Sequence, residues 1–220
     1  MKREGLIKSI STQNFPPSLL RSAYGCGFNV TFNDVRANLL NTDNLQPDGE
    51  VEALCKDGCS RLISAPLGGG LFTNQLFGKY QERAQMSALS KNGFNTLFDA
   101  CFKIGAGSDS IEKWNLYRRI MKTLDDISFK HQVSAESVAL RWLLQLGEGG
   151  SISVQVGSRL GMDFVEEQGG EAYSRHRALR QVFTFSLEED DMERLCRVSG
   201  LDSDNAVEHE IDFANKALWI

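Results

Sequence analysis

The sequence predicts an α/β protein in which parallel strands alternate with helices, and three observations support this class. Four short apolar runs are spread over the 220 residues, segments with helical spacing of apolar residues separate them, and glycine- or proline-containing turns lie between the two kinds of segment. Successive βα units favour a parallel sheet and, when repeated, a (β/α) barrel. A complete barrel needs about eight strands and about 250 residues. The sequence therefore predicts a partial barrel with two open sheet edges.

The predicted strands are short, and their residues are 5–11, 29–35, 61–65 and 152–156. The predicted helices lie between and after them, at 18–24, 50–56, 75–104, 111–130, 135–146, a polar segment to about 180, and 187–198. Pro16 and Pro17 suit the start of the first helix, where a missing N–H costs little. Residues 182–185 predict a short extended segment.

Local signals also mark later boundaries. Ser134 is placed to cap the helix over 135–146, with Glu136 in the first turn, and Ser186 is placed to cap the last helix. Residues 74–107 are longer than an ordinary loop and predict a helical insertion, either a lid on the substrate side or a partner surface. We expect one domain over 1–200 and a tail over 201–220.

The composition limits the classes of partner. A formal net charge of −5 and a pI near 5.3 argue against nucleic acid or an anionic membrane, because such partners favour a basic face. No apolar run approaches the roughly 18 residues of a membrane span, and no signal-peptide core follows Met1. The sequence therefore predicts a cytoplasmic protein.

The cysteines and histidines predict no metal site. Only Cys55 and Cys59 are close in sequence, and neither a second pair nor a nearby histidine completes a zinc-ligand set. The five cysteines are expected as buried or half-buried thiols on helices. The histidines, His131, His176 and His209, lie in polar stretches and are expected at the solvated surface.

Five segments, taken in order, carry a family resemblance. They are the first strand with Asn14-Phe15 after it, the run Asn33 to Leu40, the run Leu62 to Leu71 with its Pro-Leu-Gly-Gly-Gly loop, the helical run Val138 to Leu144, and Val156-Gly157-Ser158. Together they resemble the C-terminal half of an aldo-keto reductase. The resemblance implies a (β/α)8 TIM barrel of which this chain carries the last four strands.

The resemblance implies reversible hydride transfer between NAD(P)H and a carbonyl or alcohol, at the carboxyl ends of the strands. NADP is the family's usual cofactor, and NAD stays possible. The family's proton donor is a tyrosine assisted by aspartate, lysine and histidine, all on the first half of the barrel. This chain's tyrosines, Tyr24, Tyr80, Tyr117 and Tyr173, fall on predicted helical segments, where packing or surface roles are expected. No catalytic residue is therefore assigned.

Residues at the nicotinamide end follow from the same resemblance. Asn14 matches the asparagine that holds the carboxamide, and Gln13 replaces a neighbouring serine but can still hydrogen-bond. Asp34 replaces a glutamine, and a carboxylate accepts from the NH2 group but cannot donate to the carbonyl. Ser64 stands where the family often stacks an aromatic ring on the nicotinamide, so that contact is expected to be lost.

Leu67 and the glycines from Gly68 to Gly70 match the loop that approaches the pyrophosphate, with Leu67, Gly68 and Gly70 as the expected contacts. Glycine permits such an approach, and the alternative is that the glycines only form a tight turn.

The adenosine end of the site falls later in the sequence. Ser158 and Arg159 match the pair that binds the 2′-phosphate near a helix N-terminus, and Glu166 matches a residue that contacts adenine. Asp163 replaces an arginine and would repel a phosphate, and Glu167 replaces an asparagine. A solvated helix face is the alternative for these acidic residues, and NADP remains the default cofactor.

Three readings of the function follow. The first is a nicotinamide-dependent oxidoreductase that lacks its catalytic half and is inactive alone, with a small carbonyl compound as substrate if completed. The second is a non-catalytic nucleotide-binding or interaction module whose open strand edges, at 5–11 and 152–156, pair with another chain or a second copy. The third is an unstable fragment without function. The substrate itself is not predicted, because a fold implies a reaction class at most.

Overall fold

A computed structural model shows one parallel sheet in which the four described strands follow sequence order. The strands are β1 (Ile10–Gln13), β2 (Val30–Arg36), β3 (Ser60–Ser64) and β4 (Ile152–Val154). The α-helices whose two ends both lie in the described residues are α1 (Pro17–Gly25), α2 (Ser110–His131), α3 (Ala135–Leu146) and α4 (Glu189–Ser199). The structure describes residues 1, 4–46, 59–73, 110–147, 151–156 and 179–201.

The predicted α/β class with a parallel sheet is confirmed. Four other predictions fall outside the described residues: the helix over 50–56, the insertion over 74–107, the polar helical segment as far as 178 and, apart from Leu201, the tail over 201–220. Within the described part of the chain, no helix has both the length and the apolar character needed to cross a membrane.

The sheet packs one face against the helices. Val35 and Ile63 are neighbours in register, and both are buried in the main core with Leu124 of α2 and Trp142 of α3. Side chains alternate across a strand, so Asp34 points to the opposite face. From Phe32 to Arg36 of β2, and along β1 and β3, the side chains on that face are half-buried or exposed, whereas Val35 and Ile63 on the helix-facing side are fully packed.

The first strand is shorter than predicted, because it begins at Ile10 rather than at Gly5. Ile10 is the first residue with a partner, Val30 of β2. Before it the backbone turns: the Leu6 N–H donates to the Met1 carbonyl at 3.0 Å, and Gly5 has a φ of 73°. A strand needs a neighbour for its backbone groups. The apolar residues before Ile10 therefore did not indicate a strand. Leu6, for example, is 68% exposed.

The predicted helix over 135–146 is confirmed as α3. The Ser134 hydroxyl oxygen accepts from the Ser137 N–H at 3.1 Å, and so satisfies one of the first-turn donors, which have no partner inside the helix. Gly147 follows the last residue of the helix. The helices predicted over 18–24 and 111–130 are also confirmed, with bounds that differ by one residue at each end.

Two predictions near the last helix are wrong. Glu188, not Ser186, is the N-cap of α4, because Glu188 and Asp191 form a reciprocal capping box. The Ser186 hydroxyl instead accepts from Arg141 Nη2 at 2.9 Å. Residues 182–185 are not extended: the N–H of Phe183 donates to the Arg180 carbonyl at 3.2 Å, which closes a turn.

The prediction that His131 is a solvated surface residue is wrong. Its side chain is 13% exposed, and its Nε2 atom lies 2.7 Å from Oδ2 of Asp191, whose side chain is fully buried. A carboxylate only accepts, so Nε2 carries the proton in this contact. His176 and His209 lie outside the described residues.

The prediction for the cysteines holds only in part. Cys196 is half-buried on α4, as expected. Cys59 is buried but directly precedes β3, and Cys26 is exposed just after α1. Burial raises the pKa of the Cys59 thiol, so we assign it a packing role. Cys55 and Cys101 lie outside the described residues.

Candidate functional site

The carboxyl ends of β1, β2 and β3 lie side by side at one edge of the sheet, because the three strands are adjacent and parallel. Six predicted site residues lie on these strands or on the segments that follow them: Gln13, Asn14, Asp34, Leu67, Gly68 and Gly70. The other three, Ser158, Arg159 and Glu166, lie outside the described residues, as do Asp163 and Glu167.

Gln13 and Asp34 contact each other directly. They are partners in the β1–β2 register, and Gln13 Nε2 donates to Asp34 Oδ2 at 3.3 Å. The second carboxylate oxygen, Oδ1, is buried and has no hydrogen-bond partner among the described residues. A buried acceptor without a donor is unusual in a folded protein. Asp34 thus has one carboxylate oxygen whose acceptor capacity is unused among the described residues.

Asn14 lies at the turn between β1 and α1. Its φ is 52°, in the left-handed region that asparagine tolerates better than most residues. The Asn14 N–H donates to the Asp34 carbonyl at 2.7 Å, which fixes the turn against β2. The Asn14 side chain is exposed and therefore available to a ligand.

The segment after β3 is a tight glycine turn. Gly68, Gly69 and Gly70 have φ values of 59°, 67° and 111°, a region that side chains with a Cβ rarely adopt. The N–H groups of Gly68 and Gly70 donate to the Ala65 and Leu67 carbonyls at 3.0 and 3.1 Å. Leu67 and Gly68 are buried, whereas Gly69 is exposed and Gly70 half-exposed. Any approach to this turn therefore occurs at Gly69 and Gly70.

Two buried asparagines on β2 and just after it were missed by the sequence analysis. Asn33 contacts Thr12 and Phe15, on either side of the turn after β1. Asn38 donates from Nδ2 to the Ala65 carbonyl at 3.2 Å. Their sequence position could have identified them, because both amides lie within or beside an apolar strand. A buried side-chain amide needs hydrogen-bond partners, so such a position indicates that the amide holds neighbouring backbone in place.

The described tyrosines have structural contacts, as predicted. The Tyr117 hydroxyl donates to the Leu71 carbonyl at 2.8 Å, and its side chain is fully buried. The Tyr24 hydroxyl donates to the Val30 carbonyl at 2.9 Å. Tyr80 and Tyr173 lie outside the described residues. No cluster of potential metal ligands occurs within the described ranges.

A second charged cluster joins the end of α2 to the start of α4, on elements that do not contribute to the strand-end site. Lys130 Nζ lies 2.8 Å from Glu188 Oε2 and 3.0 Å from Asp191 Oδ1. The hydrogen bond to Glu188, which has the larger effect, and the hydrogen bond to Asp191 raise the pKa of Lys130. Burial acts to raise the pKa of Asp191, but hydrogen bonds from His131 and Lys130 outweigh it, and the net pKa is lowered. The cluster fixes one helix to the other.

Known proteins of one family resemble this chain in sequence profile and in fold. The profile described as Aldo/keto reductase family matches residues 1–164. The thermostable aldo-keto reductase Tm1743 aligns with a TM-score of 0.56 and 18% identity over 90% of this chain and 50% of its own. An aldose reductase from Giardia lamblia aligns with a TM-score of 0.54 and 18% identity over 90% of this chain and 47% of its own. This chain thus spans about half the length of these solved relatives. No curated protein matches it.

Proposed function

The chain belongs to the aldo/keto reductase family, and we propose that its strand-end site binds a nicotinamide nucleotide within an oxidoreductase of the carbonyl–alcohol class. The observation that carries the proposal is the buried, unpartnered Oδ1 of Asp34 beside Gln13 and Asn14. A carboxamide offers both an NH2 donor and a carbonyl acceptor, which suit a carboxylate and two side-chain amides.

The proposed roles divide along the nucleotide. Gln13, Asn14 and Asp34 hold the carboxamide, and the turn with Leu67, Gly68 and Gly70 lies against the pyrophosphate. The proposed residues for the adenosine end are Ser158, Arg159 and Glu166. A bound NAD(P)H supplies the hydride. We propose NADP as the preferred cofactor and keep NAD as the second candidate.

We further propose that this chain alone does not reduce a carbonyl compound. Its two described tyrosines donate their hydroxyl protons to backbone carbonyls, at Val30 and Leu71, and are therefore poorly placed to protonate a substrate. The chain would correspond to the last four strands of the family barrel and would need a second half for turnover. Steady oxidation of NADPH by the purified chain with a simple aldehyde would contradict this part of the proposal.

The binding proposal is tested by titrating the purified full chain with NADPH and NADH, with tryptophan fluorescence as the signal. Saturable binding in the micromolar range is expected. Asp34→Gln should bind NADPH more tightly by several-fold, because a glutamine amide can also donate to the carboxamide oxygen. Asp126→Asn is the matched control, because Asp126 lies in an exposed pair with Arg194 on the helices. A folded chain that binds neither nucleotide would exclude the proposed site.

An interaction module that pairs through its sheet edges is the second candidate. Apolar side chains are exposed before and after the edge strand β1 in sequence: Leu6 is 68%, Leu19 50% and Phe28 56% exposed. In the described sheet, β1 and β4 each have a neighbour on one side only. Parallel strands are rarely left uncovered in this way. We therefore propose self-association through these edges as an alternative or additional property.

The remaining proposals concern organisation and location. We propose one domain over 1–200 with a separate tail over 201–220, which limited proteolysis tests by the position of the first cleavage. We also propose a cytoplasmic location and no nucleic-acid partner, in keeping with the net charge of −5. Fluorescence of a tagged full chain in cells tests the location.

A further inference from the structure

Two segments of the proposed site have left-handed residues that are not glycine. Asn14, after β1, has a φ of 52°, and Ala65, after β3, has a φ of 54°. A non-glycine residue in this region is strained and persists only where its surroundings hold it. Both segments flank β2, the strand between β1 and β3.

Asn33 holds the turn after β1 from both sides of Asn14. Its Oδ1 accepts from Thr12 Oγ1 at 2.9 Å and from the Phe15 N–H at 3.2 Å, and its Nδ2 donates to the Phe15 carbonyl at 3.0 Å. The side-chain amide thus pairs with both backbone groups of Phe15, as a neighbouring strand would. Asn33 is only 2% exposed, so water does not compete for these hydrogen bonds.

Asn38 holds the turn after β3 by the same chemistry. Its Nδ2 donates to the Ala65 carbonyl at 3.2 Å, and its Oδ1 accepts from the Leu40 N–H at 2.9 Å. The Ala65 carbonyl also accepts from Gly68 N–H, so Asn38 contacts the residue on which the glycine turn is built. Asn38 is 6% exposed. The two amides lie five positions apart in sequence, one on β2 and one just after it, and each reaches a different flanking segment.

We propose that Asn33 and Asn38 are positioning residues that set the two ends of the nucleotide site separately, Asn33 the carboxamide-binding turn and Asn38 the pyrophosphate-facing turn. The inference rests on the proposed function. Neither side chain needs to touch the nucleotide. Each side chain orders a turn before the ligand arrives, so binding does not have to include the loss of conformational entropy of that turn. β2 then acts as a common reference for both turns.

The test uses the purified full chain, three probes and matched variants. The probes are NADPH, the reduced nicotinamide mononucleotide, and adenosine 2′-phosphate 5′-diphosphate, which is called the diphosphate probe below. The mononucleotide reports the carboxamide end of the site, and the diphosphate probe reports the pyrophosphate end. The variants are Asn33→Ala, Asn38→Ala and the control Asn44→Ala. Asn44 also donates its side-chain amide to a backbone carbonyl, that of Arg36 at 2.9 Å, but contacts neither turn.

The expected result is a crossed pattern of affinity losses. Asn33→Ala should weaken the mononucleotide and NADPH by about tenfold, because the released turn must then be ordered on binding, and should leave the diphosphate probe nearly unchanged. Asn38→Ala should weaken the diphosphate probe and NADPH and leave the mononucleotide nearly unchanged. Asn44→Ala should change none of the three. Equal losses for all probes, in proportion to the loss of melting temperature, would overturn the inference, as would no loss at all.

Two further measurements separate this inference from its premise. Thr12→Val removes one of the three hydrogen bonds of Asn33, keeps the other two and adds no charge, so it serves where the alanine variant does not fold. Amide hydrogen exchange should accelerate at Phe15 in Asn33→Ala and Thr12→Val, and at Gly68 in Asn38→Ala. If the wild-type chain binds none of the probes, the proposed function fails and the positioning role is overturned with it. If the wild type binds but exchange at Phe15 and Gly68 is unchanged, only the positioning role fails.

Discussion

At the scale of single residues, the polar side chains with the most partners were the hardest to predict. The resemblance pointed to Gln13, Asn14 and Asp34, since these align with a known pattern of residue types. Asn33 and His131 had no such pattern. Their partners lie 21 and 60 positions away in sequence, so the hydrogen bonds exist only once the strands and helices have come together. Local context made His131 look solvated, and tertiary contact made it largely buried.

Asp191 should make the stability of the protein depend on pH. Its folded pKa is lowered, so its contribution is present above the unfolded value of about 3.9 and is lost as the pH falls through the folded value. Asp191→Asn should lower the free energy of unfolding by about 2 kcal/mol at pH 7. The difference from wild type should shrink as the pH falls below about 4.

Denaturant unfolding at several pH values measures this difference. Asp190→Asn is the control, because Asp190 is exposed in the same first turn of α4 and also carries one negative charge. A difference for Asp191→Asn that is the same at pH 3 and pH 7 would show that packing, not charge, carries the contact.

Tyr117→Phe should destabilise the protein by about 1–2 kcal/mol, because it leaves the Leu71 carbonyl without its donor in a fully buried place. Tyr24→Phe removes the corresponding hydrogen bond to Val30 from a half-buried ring, where water can replace the donor, and should cost less. Thermal unfolding of the two variants side by side checks the order. An equal loss in both would contradict the role assigned to burial.

At the scale of elements, helices were predicted better than strands because their signals are local. Ser134 before α3 and Gly147 after it specify both ends of that helix within a few residues of sequence. The start of β1 depends instead on where β2 offers a partner, which the residues 5–11 alone do not encode. The Glu188 cap was missed for a related reason. Serine is the more common capping residue, yet the reciprocal contact with Asp191 decides the boundary.

The junction between α3 and β4 should not tolerate a side chain at Gly147. A Cβ added there would overlap the Ile152 Cβ and lie 2.8 Å from the Ile152 nitrogen. Gly147→Ala should therefore cost about 1–3 kcal/mol, typical of overpacking. Gly25→Ala is the matched control at the end of α1, where a Cβ would meet nothing within 4 Å. It should be neutral or stabilising by about 0.5–1 kcal/mol.

Urea unfolding curves of both glycine variants give these differences directly. A loss for Gly25→Ala as large as that for Gly147→Ala would mean that backbone conformation, rather than the close approach of Ile152, dominates at both sites.

At the scale of the whole molecule, the alternation of strands and helices was enough to predict the class of fold and the direction of the strands. It could not predict which sheet face packs against helices. That choice depends on the register that puts Val35 and Ile63 side by side in the core and leaves Asp34 on the other face. The carboxamide end of the proposed site follows from the same register, since Gln13 and Asp34 meet only as cross-strand partners.

Self-association should appear as a molar mass that rises with concentration in light scattering, if the sheet edges pair. Leu19→Lys should reduce it, because Leu19 is 50% exposed on α1, the helix that follows the edge strand β1 in sequence. Phe129→Lys is the control, with an 87% exposed ring on α2. A single monomeric species at all concentrations would exclude this property.

Because the strands pair in sequence order, they become available for pairing one after another during synthesis. β3 is complete at Ser64, but the strand that covers its far side begins only at Ile152. While the intervening residues are being made, β3 exposes a row of backbone donors and acceptors that can pair with other nascent chains. The risk is kinetic rather than thermodynamic, since loop-closure entropy grows only slowly with length. Slower growth or a chaperone that shields strand edges should therefore raise the yield of folded protein without changing its stability once formed.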